Sequence, residues 1–220
     1  MRFATIVFDF DSTIVDCETL DLVSEVALGA REDRGAIVAE VKRITALGME
    51  GAIPFDESLA RRIALMAPTR DAVETIKESI VRHISASFSA HAAFFAEQAD
   101  ALYIVSGGFD ELIYPVSDAL GMRRDHVLAN AFVYDAAGTV TGVDRSRPTA
   151  HAGGKVAAVR AAGLPGPLLI VGDGWTDYEL KREGVADAFI AYIEHARREK
   201  VVAASDTVAR SFDDVLAFIA

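Results

Sequence analysis

The sequence has few of the features that mark specialised classes of protein. Its single cysteine, Cys17, excludes a disulfide framework and fits a reducing compartment. Its apolar runs are all shorter than the roughly 18 residues that a membrane-spanning helix needs. Its first residues lack the layout of a secretory signal. Basic residues are fewer than acidic ones, 22 against 33, and the net charge of −11 argues against binding to nucleic acid or to an anionic membrane. We therefore expect a soluble, cytoplasmic protein.

Short apolar runs, separated by segments of helical spacing, predict the fold class. The first run begins at Thr5, and similar runs occupy 101–105, 168–171 and 188–191. Each is too short for a typical helix and is followed by glycine, charge or a turn, so each predicts a buried strand. Strands that alternate with helices predict an α/β protein built on a doubly wound parallel sheet.

A second, smaller domain is predicted between the first two strands. Residues 15–85 contain no strong strand run, and their apolar side chains fall on helical stripes. These stripes predict an inserted cap of several amphipathic helices. We therefore assign 1–14 and 86–220 to the α/β core and 15–85 to the helical cap. Residues 129–143 predict a β-hairpin.

Two aspartates lie at the end of the first strand, in the segment D-F-D-S-T. Side chains two apart on an extended chain point the same way, so Asp9 and Asp11 converge while Phe10 faces away. Two such carboxylates repel each other unless a cation lies between them, which suits a magnesium-dependent phosphate site. Asp9 is then the nucleophile that forms an aspartyl-phosphate, and Asp11 is the general acid and base. The alternative is that both residues only cap a helix.

A serine, two glycines and a lysine complete a phosphate site. Ser106, Gly107 and Gly108 follow the second predicted strand, where small residues let backbone N–H groups approach a phosphate. Lys155 follows two glycines at the start of a predicted helix and supplies a fixed cation. Taken alone, the glycines also fit an ordinary turn, and the lysine fits a solvated helix start.

Two more carboxylates follow the third strand, in G-D-G-W-T-D. Asp173 is placed to face a metal, and Asp177 lies in the first turn of the next helix. Thr176 and Glu179 also match a helix capping box. A site of oxygen ligands alone, with carboxylates from Asp9 and Asp173, suits Mg²⁺ rather than zinc. The five histidines show no ligand spacing and are predicted to be surface or core residues.

In this order, the motifs resemble those of the haloacid dehalogenase-like phosphatase superfamily: D-x-D-x-T, a serine or threonine, a lysine, then G-D-x-x-x-D. They cover residues 9–177. The resemblance implies that Asp9 is phosphorylated, and that Mg²⁺ is held by Asp9, the Asp11 carbonyl and Asp173. It also implies that Ser106, Gly107 and Lys155 hold the phosphate, and that Asp177 supports the metal and the lysine.

Within the superfamily, the chain resembles the phosphoserine phosphatase family. The likeness rests on D-F-D-S-T followed by Glu18, on M-E-G-A-I-P-F-D-E-S-L-A-R-R-I at 49–63, on V-S-G-G-F, and on G-T-V-T-G in the hairpin. It implies that Glu18 receives the substrate ammonium and Arg62 its carboxylate, with Met49, Gly51 and Phe55 closing over the serine moiety. It further implies a role in the biosynthesis of serine.

Other functions stay open at this point. A sibling phosphatase for a phosphorylated homoserine or sugar acid, or a phosphotransferase, would use the same motifs. A phosphate-accepting signalling receiver is shorter and carries its aspartate on a later strand. A non-catalytic binding protein would have little need for both Asp9 and Asp11. Trp175 replaces a residue that is usually small in the family, and so reshapes the predicted pocket. The sequence does not decide between a monomer and a homodimer.

Overall fold

Six parallel strands form the central sheet of the computed structural model, which describes residues 2–220. In chain order, β1 to β8 are Thr5–Phe8, Leu102–Phe109, Val127–Asn130, Phe132–Tyr134, Val140–Val143, Leu168–Gly172, Ala188–Tyr192 and Thr207–Ala209. The sheet has the strand order β3-β2-β1-β6-β7-β8, and β4 pairs with β5 in a separate antiparallel hairpin. Every pairing within the sheet is parallel.

Eleven α-helices surround the strands in the described part of the chain. In chain order, α1 to α11 are Thr19–Ala27, Arg34–Met49, Phe55–Met66, Arg70–Ser79, Ala86–Ser89, Ala92–Glu97, Asp110–Ala119, Gly154–Ala162, Trp175–Arg182, Glu199–Ala204 and Phe212–Ile219. Among these residues, no helix combines the length and the apolar character that crossing a bilayer requires.

Apolar side chains cover both faces of the sheet, as expected when helices pack on each side. On one face Phe8 packs in a cluster that includes Phe88, Phe95 and Phe212, while Val7 belongs to a second cluster on the opposite face. The alternation along β1 follows from the two-residue period of a strand. These observations confirm the predicted doubly wound α/β fold.

The chain reverses its direction of winding at β1, and this reversal positions the site. β1 pairs with β2 on one side and with β6 on the other. In open parallel sheets, ligands bind beyond the carboxyl ends of the strands at such a reversal. The residues that follow β1, β2 and β6 therefore meet at one crevice.

Helices α1 to α4 lie between β1 and β2 along the chain and pack on one another. The β4–β5 hairpin adds to this helical layer, because the Arg70 amide donates to the carbonyl of Gly138 at 2.8 Å and the Val140 amide to that of Pro68 at 2.8 Å. The division of the chain into an α/β core and a cap at residues 15–85 remains a prediction.

Two local features differ from their prediction. β2 continues through Ser106 to Phe109, because pairing with β3 resumes at Phe109 and Asn130 after a register shift. Helix α9 is capped by Gly174 and Asp177, so the capping box expected at Thr176 is wrong. The side chain of Asp177 reaches back to the Gly174 amide at 3.0 Å, and the helix consequently begins one residue before Thr176.

Candidate active site

A tight turn places Asp9 and Asp11 directly after β1. Asp9 is extended, and its Oδ1 accepts a hydrogen bond from the Phe10 amide at 2.7 Å. The turn spans Phe10–Ile14, and within it Ser12 adopts a left-handed conformation, with φ of 54°. Such a backbone conformation is uncommon for a residue with a side chain and is often found at functional sites. Both aspartates are buried.

Lys155 joins two carboxylates in the interior. Its Nζ lies 2.7 Å from Oδ1 of Asp9 and 2.7 Å from Oδ1 of Asp177. The lysine is in the first turn of α8, after Gly153 with φ of 68° and Gly154, where a Cβ would overlap the Pro148 carbonyl. The two glycines therefore allow α8 to begin close to the sheet, and a buried charge of each sign finds its partner there.

The titration behaviour of these groups follows from burial and mutual charge. Burial opposes the charge on Lys155, but Asp177 and Asp9 outweigh it and raise the lysine pKa. Burial, together with the charge of Asp9, raises the pKa of Asp177 to about 7, against the pull of Lys155. For Asp11, burial and then the charges of Glu18 and Asp9 raise the pKa well above its ordinary value. Asp11 is thus set to hold a proton, as a general acid must.

Three carboxylates could hold a metal ion. Oxygens of Asp9, Asp173 and Asp177 lie within 4.8 Å of one another, and all three residues are buried. Oδ2 of Asp173 accepts no hydrogen bond in the described structure, although it touches the guanidinium of Arg198. Three buried carboxylates this close together repel one another unless a cation lies between them, and an oxygen-only donor set fits Mg²⁺. The residues present therefore fit the predicted ion.

The Asp173 side chain is anchored to the turn after β1. Thr13 Oγ1 donates to its Oδ1 at 3.4 Å, across 160 residues of sequence. The glycine before it, Gly172, has no room for a side chain, because a Cβ there would overlap Asp177. The structure thus brings together the two carboxylates that the sequence placed after the first and third strands.

Arg198 was not found from the sequence. It precedes α10, and besides contacting Oδ2 of Asp173 it donates from Nη1 to the Asp173 carbonyl at 3.3 Å. Its Nη2 lies 3.5 Å from Oε1 of Glu18. No motif marks this arginine, because it lies 25 positions beyond Asp173 in an irregular segment between a strand and a helix.

The predicted phosphate loop lies in the bulge of β2. Ser106 Oγ accepts a hydrogen bond from the Gly108 amide at 2.8 Å. Gly107 has no room for a side chain, because a Cβ there would overlap the Phe55 ring. Two residues missed by the sequence support the loop. Asn130 donates from Nδ2 to the Gly107 carbonyl at 2.9 Å, and Thr149 donates to Asn130 Oδ1 at 2.8 Å.

A narrow cavity of about 10 Å³ joins the strand ends to the helical layer. Its volume is that of about one water molecule. Most of the predicted site residues line it, together with two that were not predicted as site residues, Leu20 and Thr176. The full lining is Asp9, Asp11, Leu20, Met49, Phe55, Arg62, Ser106, Gly107, Gly108, Lys155 and Thr176. Predicted residues from both the sheet and the helices therefore face the same space.

Of the two residues predicted to bind the amino-acid part of the substrate, only Arg62 lines that cavity. Glu18 does not line the cavity; its Oε1 accepts from Ser12 Oγ at 2.9 Å and is close to Arg198. Arg62 is buried rather than on an exposed helix face, and burial lowers its pKa against the charges of Glu18, Asp21 and Asp11. Arg62 is therefore a cation held among acids.

A hydrogen-bonded pair behind Arg62 was also missed. Arg62 Nη1 donates to Thr45 Oγ1 at 3.4 Å, and Thr45 Oγ1 is 2.9 Å from Oδ1 of Asp21. Burial, together with the charge of Glu18, raises the pKa of Asp21 to about 6. Asp21 and Thr45 come from α1 and α2, so only the packing of these helices reveals the link.

Trp175 lies beside the central cavity and not in its lining. Its indole faces Gly51, where a Cβ would approach within 3.0 Å, and Lys200 Nζ lies 3.8 Å from a ring centroid. The ring lines a neighbouring cleft between the helical layer and the sheet, together with Phe55. Trp175 is therefore a contact between the predicted cap and the core.

Comparison with known proteins agrees with this geometry. The family model described as haloacid dehalogenase-like hydrolase matches residues 6–182. The chain is 34% identical over 212 residues to the chloroplastic phosphoserine phosphatase of Arabidopsis thaliana, covering 95% of this chain and 69% of that protein. It is 29% identical over 197 residues to the phosphoserine phosphatase of Mus musculus, covering 88% of this chain and 83% of that protein.

Solved structures share the whole fold. A phosphoserine phosphohydrolase-like protein from Francisella tularensis superposes with a TM-score of 0.90 at 32% identity, covering 98% of this chain and 99% of its own. A substrate-bound phosphoserine phosphatase complex has a TM-score of 0.75 at 24% identity, covering 99% and 98%, which shows a common fold. The chain therefore belongs to the haloacid dehalogenase-like hydrolases and is a phosphatase, similar to proteins named phosphoserine phosphatases.

Proposed function

We propose that this phosphatase hydrolyses O-phospho-L-serine to L-serine and phosphate, with Mg²⁺ and an aspartyl-phosphate on Asp9. The observation that carries the proposal is one cavity in which Asp9, Asp11 and Lys155 face Arg62. The first three residues provide phosphoryl transfer, and the arginine provides a partner for a carboxylate. A phosphorylated amino acid carries both groups.

Asp9 is the nucleophile in the first step. Lys155 and the Phe10 amide both bond to Oδ1, which fixes the carboxylate and leaves Oδ2 for attack on phosphorus. A new O–P bond forms as the bond to the serine oxygen breaks. One hard displacement is thereby split into two easier ones.

Asp11 moves the proton in both steps. Because its pKa is raised, it holds a proton more readily than an ordinary aspartate and can give that proton to the leaving serine oxygen. Its carboxylate then takes a proton from the water that attacks the aspartyl-phosphate. Asp11 Oδ1 accepts from the Thr19 amide at 3.1 Å, so the start of α1 fixes its position.

The phosphate is held by Ser106, Gly107 and Lys155. The bulge in β2 brings the backbone of Gly107 and Gly108 to the cavity, where N–H groups can face phosphate oxygens. Lys155 adds a positive charge in a buried setting, where electrostatic stabilisation of a transition state is strong.

Mg²⁺ would be held by Asp9, Asp173 and the carbonyl of Asp11, with Asp177 supporting Lys155. When bound, the ion neutralises charge on the phosphate and orients it for in-line displacement. Arg198 contacts Oδ2 of Asp173 in the structure, and this oxygen would bind the ion in place of the arginine.

The helical residues would select the substrate. Arg62 offers a fork that matches a carboxylate, and Glu18 offers the negative charge that an ammonium needs. Met49 and Phe55 enclose the remaining carbon atoms. Arg198 occupies one oxygen of Glu18 in the structure, so substrate binding would replace that contact.

Residues 15–85 would act as a cap that opens for substrate. The central cavity, at about 10 Å³, is too small to admit a phosphorylated amino acid while Phe55 packs on Gly107. Opening would separate these two residues, and closure would exclude water other than the attacking molecule. We also retain a cytoplasmic location and a role in serine biosynthesis as proposals.

A panel of phosphate esters tests the substrate assignment. Phosphate release would be measured with and without Mg²⁺ for phosphoserine, phosphohomoserine, a sugar acid phosphate and p-nitrophenyl phosphate. We expect phosphoserine to rank first and activity to need Mg²⁺. Arg62→Ala should lose roughly 10- to 100-fold in kcat/KM for phosphoserine, since a charge-assisted hydrogen bond is worth about 1.5–3 kcal/mol.

The neighbouring Arg61 provides the matched control, because its side chain is 42% exposed and pairs with Glu57 and Glu40 on the surface. Arg61→Ala should retain phosphoserine turnover. If Arg62→Ala also retained it, a sibling phosphatase or a phosphotransferase would be favoured. If phosphoserine ranked low while Mg²⁺-dependent release persisted, the substrate would be wrong and the chemistry would stand.

A further inference from the structure

The two segments that connect α1 to α4 with the sheet run side by side. Val15 and Ile84 form an antiparallel bridge, the Asp16 amide donates to the His83 carbonyl at 2.9 Å, and the Ser85 amide donates to that of Ile14 at 2.9 Å. We call residues 15–17 and 83–85 the linker pair. Backbone bonds hold the two segments in a fixed register, so side chains on one have defined neighbours on the other.

Three different metal-ligating side chains meet on the linker pair. A carboxylate oxygen of Asp16, the thiol of Cys17 and a ring nitrogen of His83 all lie within 4.8 Å of one another. His83 Nδ1 is 2.8 Å from Oδ1 of Asp16. The mixture of oxygen, sulfur and nitrogen differs from the oxygen-only set beside Lys155. It favours a borderline cation such as Zn²⁺ over Mg²⁺.

The distances need only a small adjustment to hold a metal. Zinc lies about 2.0–2.3 Å from such ligands, so they are about 3–4 Å apart in a tetrahedral site. The Asp16 side chain is 48% exposed and that of His83 34% exposed, so both can rotate toward an ion. Their exposure also leaves a fourth position for water.

Acidic side chains lie close to the Cys17 thiol. Asp16 and Glu18 flank Cys17 in the sequence, and a carboxylate oxygen of Asp16 lies within 4.8 Å of the thiol. The nearby groups are therefore acidic, and a divalent ion would reduce their repulsion. A bound metal favours the thiolate and lowers the thiol pKa, which reverses the effect of those acids.

We propose that Asp16, Cys17 and His83 form a second metal site, for Zn²⁺ or a cation of similar softness, that fastens the two segments of the linker pair together. On binding, the S–H bond of Cys17 breaks, a sulfur–metal bond forms and the proton passes to solvent. Asp16 supplies a carboxylate oxygen and His83 a neutral imidazole nitrogen. None of the three belongs to the cluster of Asp9, Asp173 and Asp177.

Cobalt provides a selective probe, because a Co²⁺–thiolate bond absorbs in the near ultraviolet and oxygen ligands do not produce that band. Cys17 is the only cysteine in the chain, so the band would report this site alone. Metal-free full-length protein would be titrated with Co²⁺. Excess Mg²⁺ would be present to occupy the oxygen-only site. We then expect the band to saturate at one equivalent of Co²⁺ per chain and to disappear when Zn²⁺ is added.

Variants distinguish a site formed by all three ligands from binding of Co²⁺ to the Cys17 thiol alone. Cys17→Ser should abolish the band, and His83→Ala and Asp16→Asn should each weaken Co²⁺ binding at least about tenfold. His151→Ala, at an exposed histidine outside the cluster, should leave binding unchanged. Circular dichroism would show that each variant is folded. A titration without a thiolate band, or a band undiminished by both His83→Ala and Asp16→Asn, would overturn the proposal.

Discussion

The strand ends and the helical layer hold their charged side chains in different ways. At the strand ends, Lys155 bonds to two carboxylates at 2.7 Å, and each partner follows a different strand of one sheet. In the helical layer, the buried Arg62 hydrogen-bonds, among residues 2–220, only to the Thr45 hydroxyl and the Ser58 carbonyl, both at 3.4 Å. One region has its charges paired and the other leaves a cation without a direct partner.

This difference matches two kinds of task. Phosphoryl transfer needs groups already in position, because preorganised charge lowers the barrier without rearrangement. Selection of a substrate needs a group that is satisfied only when the right ligand arrives, since an unpaired buried charge penalises every other ligand. We therefore propose a division in which the reaction takes place at the strand ends and the helices select the substrate.

The largest effect is expected at the nucleophile. Asp9→Asn should lower turnover by more than about 1000-fold, because an amide cannot form the phosphoenzyme. The loss should be the same for phosphoserine and for p-nitrophenyl phosphate, whereas Arg62→Ala should affect phosphoserine alone. Phosphate release with both esters measures this. Asp71→Asn, at an exposed residue of α4, is the control. A loss of turnover in Asp9→Asn that differed between the two esters would contradict the proposed division between strand ends and helices.

The next effect concerns stability at the strand ends. Lys155→Met should cost roughly 3–5 kcal/mol in the free energy of unfolding, because it leaves Asp9 and Asp177 buried without their cation. Urea denaturation without added metal measures this. Lys77→Met removes a lysine that is 39% exposed and pairs with Glu74, so its cost should stay below about 1 kcal/mol. Equal costs for the two variants would contradict the paired-charge description.

A smaller effect should appear in the pH dependence of the helical layer. The pKa of Asp21 is about 6 in the folded chain against 3.8 in the unfolded chain, so the folded state binds more protons between these values. Asp21 therefore makes stability fall as pH rises from about 4 to 6, by roughly 2–3 kcal/mol.

Asp21→Asn should remove that fall. The measurement is the difference in unfolding free energy between wild type and variant at several pH values, which cancels the contributions of other acids. Asp71→Asn, at an exposed residue of α4, is the matched control, and its difference should stay below about 1 kcal/mol. If the difference in unfolding free energy between wild type and Asp21→Asn did not change with pH, Asp21 would be solvated. The link from Arg62 through Thr45 to a buried Asp21 would then be wrong.

The smallest effect is expected where the helical layer touches Trp175. Gly51 has φ of 68°, so Gly51→Ala should destabilise by about 1 kcal/mol and shift the indole. Trp175 is the only tryptophan, so its fluorescence reports the change. Gly35→Ala, inside α2 with open space around the site, should instead stabilise slightly. Unchanged fluorescence in Gly51→Ala would contradict the contact.

The sequence could predict that the strand-end residues lie close together because Asp9 and Asp173 directly follow buried strands, and Ser106 lies in the bulge near the end of β2. Strand ends of a parallel sheet converge whatever the intervening chain does, so Asp9, Ser106 and Asp173 needed no distance information. The extent of β2 was less predictable. Two glycines after an apolar run favour a turn, but β3 resumes pairing at Phe109 and extends the strand.

The residues that the sequence missed act through contacts between distant segments. Arg198 reaches Asp173 from an irregular segment, and Thr45 meets Asp21 only because α1 packs on α2. His83 lies 67 residues from Asp16, so no ligand spacing could reveal their contact. Such pairings depend on packing, which composition and periodicity do not encode.

The most direct test of the division is to trap the intermediate. Wild-type protein would be mixed with phosphoserine and Mg²⁺, quenched in acid within one turnover, and digested for mass spectrometry. We predict one phosphoryl group on the peptide that contains Asp9, assigned to that residue, and none on it in Asp9→Asn. Continued turnover with no phosphoryl group on Asp9, or with the group on another residue, would contradict the account.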